Sequence, residues 1–284
     1  MKAKGFPLKI TVIALVSVFV FVGVSTVFLF EETNEQNNLS VSEIKKAAII
    51  DQLRAEIPNE HFMKRSTQYL EDAGYEVDYI TTENITVNFY KKLPTMGYDF
   101  IVIRSHAVGQ EDEEVPVALF TGEKYTTDKY ISEQLFEQVK KGTTLLSQLY
   151  KIEAKESDWI VVNSTYRYLS TKPNVVEESD DEYFLIAPKL VDELMEGRFS
   201  GTTFILGGCS TLGNTSMAES LIRRGASTVV GWTDLVGSYQ NDKYILLLLK
   251  EILINKIEVN EAVDNVMLDF TLHPKYPAKL TSYS

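Results

Sequence analysis

Cysteine occurs once in the 284 residues, at Cys209, so no internal disulfide can form and the fold must be held by packing. Basic charge is also short. There are 28 Lys and Arg against 40 Asp and Glu, a net charge of −12, and without clustered cations the chain has no general affinity for nucleic acid phosphates. Histidine appears only at 61, 106 and 273, and with a single cysteine no zinc-ligand spacing arises. No metal and no cofactor is expected. The loop after the first apolar run, RAEIPNEHF at 54–62, has no G-x-G-x-x-G, which removes the usual pyrophosphate cradle and with it a dinucleotide-binding reading. Internal repeats and Pro-rich or Gly/Ser-rich linkers are missing too, and 44% hydrophobic with 24% charged residues is ordinary globular composition.

One long hydrophobic run is present. ITVIALVSVFVFVGVSTVFLF, residues 10–30, carries no charge. At about 1.5 Å per helical residue it matches a hydrocarbon core of roughly 30 Å. Lys2, Lys4 and Lys9 precede it, and Glu31, Glu32 and Glu35 follow. The positive-inside rule therefore assigns 1–9 to the cytoplasm, 10–30 to a single transmembrane anchor and the remaining chain to the extracytoplasmic side. A cleaved signal peptide is the competing reading, but the run is long and STVFLFEET lacks a small-x-small cleavage site. The sequons at Asn38, Asn84, Asn163 and Asn214 suit an external domain. Polar residues 31–44 read as a tether, and one domain is expected over 45–284. The acidic clusters EDEE (111–114) and EESDDE (177–182) read as solvated loops, with a calcium site as the alternative outside the cell.

Within 45–284 the hydrophobic period alternates between buried strand and amphipathic helix. AAIIDQL (47–53), EVDYIT (76–81), YDFIVIRSHA (98–107), TTFILGG (202–208) and STVVGW (227–232) read as strands. EHFMKRSTQYLEDAGY (60–75), FLIAPKLVDELMEG (184–197) and SMAESLIRRGA (216–226) read as helices, and two more helices follow in 241–255 and 258–272. TVNFYKKLPTM (86–96) reads as a connecting segment. Residues of about 108–185, with β-leaning VPVALFTG and DWIVVNSTYRYL, read as an insertion. The expected fold class is α/β, a mostly parallel sheet with helices on both faces. Ligands of such sheets bind beyond the carboxyl ends of the strands, where His106 and Cys209 each follow a strand. A thiol near an imidazole or a helix N-terminus gains thiolate character, and the helix expected from about residue 216 offers such a terminus. Gly207 and Gly208 are read as clearing space for a substrate backbone. His61 and His273 read as ordinary surface or packing histidines.

An apolar strand ending in His, followed much later by an apolar strand ending in small residues and Cys, resembles the caspase-like cysteine peptidases, a group that includes caspases, gingipains, clostripain, legumain, separase and CHAT domains. GGCSTLGNTSMAESLIRRGASTVVGWTDLV is most similar to the CHAT, separase and gingipain branch, and the resemblance covers roughly residues 45–256. It implies a caspase-like three-layer sandwich, with Cys209 as nucleophile, His106 as general base and acid, and the N–H groups of Ala107 and Cys209 as the oxyanion hole. Two positions depart from the pattern: Ala107 replaces a glycine, and Gly208 replaces an alanine. The implied activity is that of a membrane-anchored endopeptidase acting on a peptide or protein substrate. The alternative is a caspase-fold binding or sensor domain without hydrolysis. By the same resemblance, Asp234 is the carboxylate for a Lys or Arg side chain of the substrate, and Asp242 the substitute. Asp234 is equally read as the cap of a helix starting near residue 238. Arg104, if it faced the crevice, would instead favour an acidic side chain.

Overall fold

In the computed structural model the described residues are 44–109, 116–124, 129, 152–154, 160–163, 182–268, 270 and 278–284. Residues 1–43, which take in the expected anchor (10–30) and all but the last residue of the expected tether (31–44), lie outside them, as do EDEE, all of EESDDE except Glu182, and His273. Among the described residues no helix is long and apolar enough to cross a membrane.

Five parallel strands form the main sheet: β1 (Lys45–Asp51), β2 (Tyr75–Thr81), β3 (Phe100–Arg104), β9 (Thr202–Gly207) and β10 (Ala226–Trp232). An antiparallel edge strand, β11 (Leu280–Tyr283), completes it, and the order is β11-β10-β9-β3-β1-β2. The chain is therefore α/β and mostly parallel. Strand β3 lies between β1 and β9, and all five of its residues are buried, which is why it reads as an unbroken apolar run.

Alternate residues feed two cores. Ala48, Ile50, Ile101, Ile103, Phe204 and Leu206 pack with α2 (Val87–Lys92), α3 (Pro188–Glu193) and α4 (Ser216–Arg223). Ala47, Ile49, Phe100, Val102, Ile205 and Val230 face α1 (Glu60–Asp72), α5 (Ser238–Leu249) and α6 (Val259–Leu268). Helices thus cover both faces, and the period of two along each strand sorts its residues between them.

Helix α1 shows how local sequence sets the ends. Asn59 accepts a hydrogen bond from Phe62 N at 3.0 Å as N-cap, and Glu60 sits in the first turn, where the helix dipole favours an acid. Phe62, Ser66 and Leu70 form its buried stripe. Gly74, at φ 90°, then lets the chain turn directly into β2.

A second, antiparallel sheet in the order β4-β5-β8-β7-β6 comes from residues 107–186. Its strands are β4 (Ala107–Val108), β5 (Ala118–Lys124), β6 (Ile152–Ala154), β7 (Ile160–Asn163) and β8 (Glu182–Ile186). Two sequence readings change here. Residues 184–186 are not helical: a short apolar run is ambiguous on its own, and pairing with β5 and β7 takes it into the sheet. The 86–96 segment holds helix α2, whose N-cap Thr86 accepts from Phe89 N at 3.1 Å.

Between β1 and β3 the direction of sheet building reverses, since β2 lies on one side of β1 while β3, β9 and β10 extend the other. In open α/β sheets ligands bind outside the carboxyl ends of the strands at such a reversal, and the loops after β1 and β3 stand at that place here.

Candidate active site

His106 and Cys209 come from neighbouring strands at matched heights. The β3–β9 register pairs Arg104 with Gly207, and Ser105 N–H extends the ladder by donating to the Gly207 carbonyl at 2.9 Å. His106 and Cys209 each lie two residues past that pair, just beyond the ends of the two strands.

His106 is held from three directions. Its N–H donates to Gln52 Oε1 at 3.0 Å, and its carbonyl accepts from Phe120 N at 3.0 Å. The ring meets Phe120 edge-on at 5.8 Å, and Nε2 lies 2.7 Å from Glu56 Oε2. Because His106 and Phe120 are hydrogen-bonded across the β4–β5 ladder, the Ala107–Leu119 pair is the non-bonded one. On that pattern the Ala107 N–H is turned away from β5.

Cys209 is half-buried and packs against the core cluster that includes Trp232 and Val236. Its thiol donates to the Val236 carbonyl at 3.5 Å. Burial pushes the thiol pKa up, and the nearby Asp234 charge acts in the same direction. Helix α4 does not oppose this shift at close range. Residues 210–215 separate Cys209 from its first turn, and Ser216 N–H already donates to Asn214 Oδ1 at 3.1 Å. Alkylation of Cys209 by a small neutral reagent should therefore still be accelerating past about pH 8.5, where an ordinary thiol is half ionised. A stopped-flow pH series reads this directly, and a plateau below pH 8 would refute it.

The turn after the thiol is sharp. Ser210 adopts φ 51°, a left-handed conformation that is costly for a residue with a side chain. It is fixed by Ser210 N–H donating to the Asp234 carbonyl at 3.0 Å and by Leu212 N–H donating to the Trp232 carbonyl at 2.8 Å. The Thr211 hydroxyl donates to the Leu206 carbonyl at 2.8 Å and accepts from Trp232 N–H at 3.0 Å. Strand β10 thus grips the turn that presents the sulfur.

The remaining sequence candidates are distributed as follows. Gly207 and Gly208 are both buried, and the chain itself fills the space their missing side chains leave. A Cβ on Gly208 would stand 2.3 Å from the Ser105 carbonyl oxygen, and one on Gly207 would stand 3.0 Å from Asn241 Oδ1. Asp234 is exposed beside Cys209, and its Oδ1 accepts from Leu235 N–H at 2.6 Å. It does not cap α5, whose N-cap is Gly237 with no side-chain bond. Asp242 and Arg104 are not crevice residues. Arg104 is fully buried, with Nε 2.7 Å from Asp242 Oδ1 and Nη1 2.8 Å from Asp51 Oδ1. Asn214 is buried with its side-chain oxygen engaged, so that sequon does not suit glycosylation. His61 is exposed on α1.

Glu56 was not among the sequence candidates. It stands in RAEIPNEHF, a stretch remarkable only for its missing glycines, and its partner is fifty positions away in sequence. Among the described residues no cluster of His, Cys, Asp and Glu is arranged to hold a metal ion. Neither a protein-family model nor a curated protein matches the chain.

Proposed function

We propose that the chain is a cysteine endopeptidase of caspase-like type, anchored in the membrane by residues 10–30 with its α/β domain on the extracytoplasmic side. The observation that carries this reading is the Arg104–Gly207 register of β3 and β9, since His106 and Cys209 each follow that pair by two residues at the carboxyl ends of adjacent strands. The order His before Cys and the doubly covered sheet agree with the caspase-like resemblance and its three-layer sandwich.

In this reading His106 takes the thiol proton and the Cys209 thiolate attacks the scissile carbonyl carbon. The Ala107 and Cys209 N–H groups receive the oxyanion, and His106 returns the proton to the leaving amine. Water then hydrolyses the thioester, with His106 as base. Nothing in these steps requires a cofactor. Asp234, exposed next to the sulfur, is the residue for a basic substrate side chain. A positional-scanning peptide library tests the reading: the wild-type chain cleaves and Cys209→Ala does not, whereas equal turnover by both would assign the activity to another centre.

One observation favours the second reading, a binding or sensor domain without hydrolysis. The half-buried thiol donates to the Val236 carbonyl, and burial raises its pKa. The peptidase reading requires that an arriving substrate displace that bond, which a sensor domain does not need.

A further inference from the structure

We infer that Asn84 is the attachment point of an N-linked oligosaccharide and that Asn214, in the same tripeptide pattern, is not. The inference rests on the extracytoplasmic placement of the domain proposed above. Asn84-Ile85-Thr86 and Asn214-Thr215-Ser216 both fit N-x-[ST], so the pattern alone treats them alike. Their surroundings separate them.

Asn84 closes a short 3₁₀ turn, Thr82–Asn84, at the carboxyl end of β2. It is exposed, and among the described residues its side-chain amide has no hydrogen-bond partner. The backbone that carries it is held. The Thr82 hydroxyl donates to the Gln52 carbonyl at 2.9 Å, Ile85 is fully buried, and the Ile85 carbonyl accepts from Gly122 N–H at 2.7 Å. Strand β2 is an edge of the main sheet, so a bulky sugar at its end has a neighbouring strand on one side only.

Asn214 differs on each count. It is 8% exposed, and its Oδ1 accepts from Ser216 N–H at 3.1 Å and from the Ser216 hydroxyl at 2.6 Å. The serine of the tripeptide thus bonds its own asparagine, and its oxygen also accepts from Val117 N–H at 3.0 Å. A sugar here would have to open the turn after Cys209, because its hydroxyls could not be buried there without partners.

The chemistry is a glycosyl transfer from a lipid-linked oligosaccharide phosphate, supplied with its transferase at the outer face of the membrane. The bond from Asn84 Nδ2 to the sugar C1 forms as the bond from C1 to the phosphate oxygen breaks. The lipid phosphate leaves with that electron pair, and one Nδ2 proton passes to a base on the transferase. In the folded chain the Thr86 hydroxyl caps α2, accepting from Phe89 N–H at 3.1 Å, so transfer takes place before that cap closes.

Peptide mass mapping of the full-length chain, taken from membranes of its own host, tests the assignment. A sugar mass on the peptide containing Asn84 and none on the peptide containing Asn214 is the expected result. Asn84→Gln and Thr86→Ala should abolish the added mass, and Thr86→Ser, which keeps a hydroxyl for both tripeptide and cap, should retain it. A bare Asn84, or a sugar on Asn214 of the folded chain, overturns the assignment. Labelling of intact cells with a membrane-impermeant amine reagent separates the two ways of failing. A bare Asn84 with the exposed Lys64 labelled defeats the sugar alone. A bare Asn84 with Lys64 unlabelled defeats the extracytoplasmic placement and the sugar with it.

Discussion

Arg104→Met is expected to cost about 3–5 kcal/mol of folding free energy, a large part of the roughly 5–15 kcal/mol that holds a typical domain folded. The guanidinium is fully buried between Asp51 and Asp242 and also lies over the Phe62 ring, 5.4 Å from its centre. Burial opposes its charge, but the hydrogen bond and charge of Asp242, followed by those of Asp51, outweigh it and hold the pKa above the ordinary arginine value. Methionine fills much of the same volume, so the loss comes from leaving two carboxylates in the core without a counter-charge. Chemical denaturation followed by fluorescence of the buried Trp232 reads the effect. The triple variant with Asp51→Asn and Asp242→Asn should recover a large part of it, because these groups form one coupled network. If Arg104→Met alone cost under 1 kcal/mol, the network would not be holding the ends of β1 and β3 together.

Gly208→Ala is expected to have the second large effect, on the fold and the site together. The added methyl would meet the Ser105 carbonyl oxygen at 2.3 Å, and that atom belongs to backbone that cannot rotate away. Such overpacking costs about 1–3 kcal/mol or more. The relief available is to spread the ends of β3 and β9, which carry His106 and Cys209, and a displacement near 1 Å is worth about 10²-fold in rate. Peptide turnover should therefore fall even at temperatures where Gly208→Ala remains folded by circular dichroism.

The frame of the molecule was readable from the sequence because its central parallel strands are buried on both faces. Runs such as FIVIR and TTFILG have no polar side to confuse them with surface segments, and the rim positions of His106 and Cys209 followed from where those runs stop. Strand β8 was not readable, since its three apolar residues acquire their state from partners elsewhere in the chain. Arg104 and Asp242 looked like crevice residues for a related reason. Each is polar and near a strand end or helix start, and only the third dimension shows that they neutralise each other inside. Gly207 and Gly208 were read as clearing space for a substrate backbone, but the groups that approach them are the protein's own β3 end and the Asn241 side chain. Glu56 carried no local signal at all. Its meaning depends on the reversal of sheet direction between β1 and β3, which brings the loop after the first strand beside the end of the third.

The central claim is that the imidazole at the end of β3 promotes the reaction of the sulfur at the end of β9. Its most direct test is the rate at which a peptide-based thiol electrophile modifies Cys209 in the wild-type chain and in His106→Ala. The account predicts that losing the imidazole slows modification about 10²-fold or more. Equal rates in the two proteins, both no faster than an unactivated thiol, would contradict it.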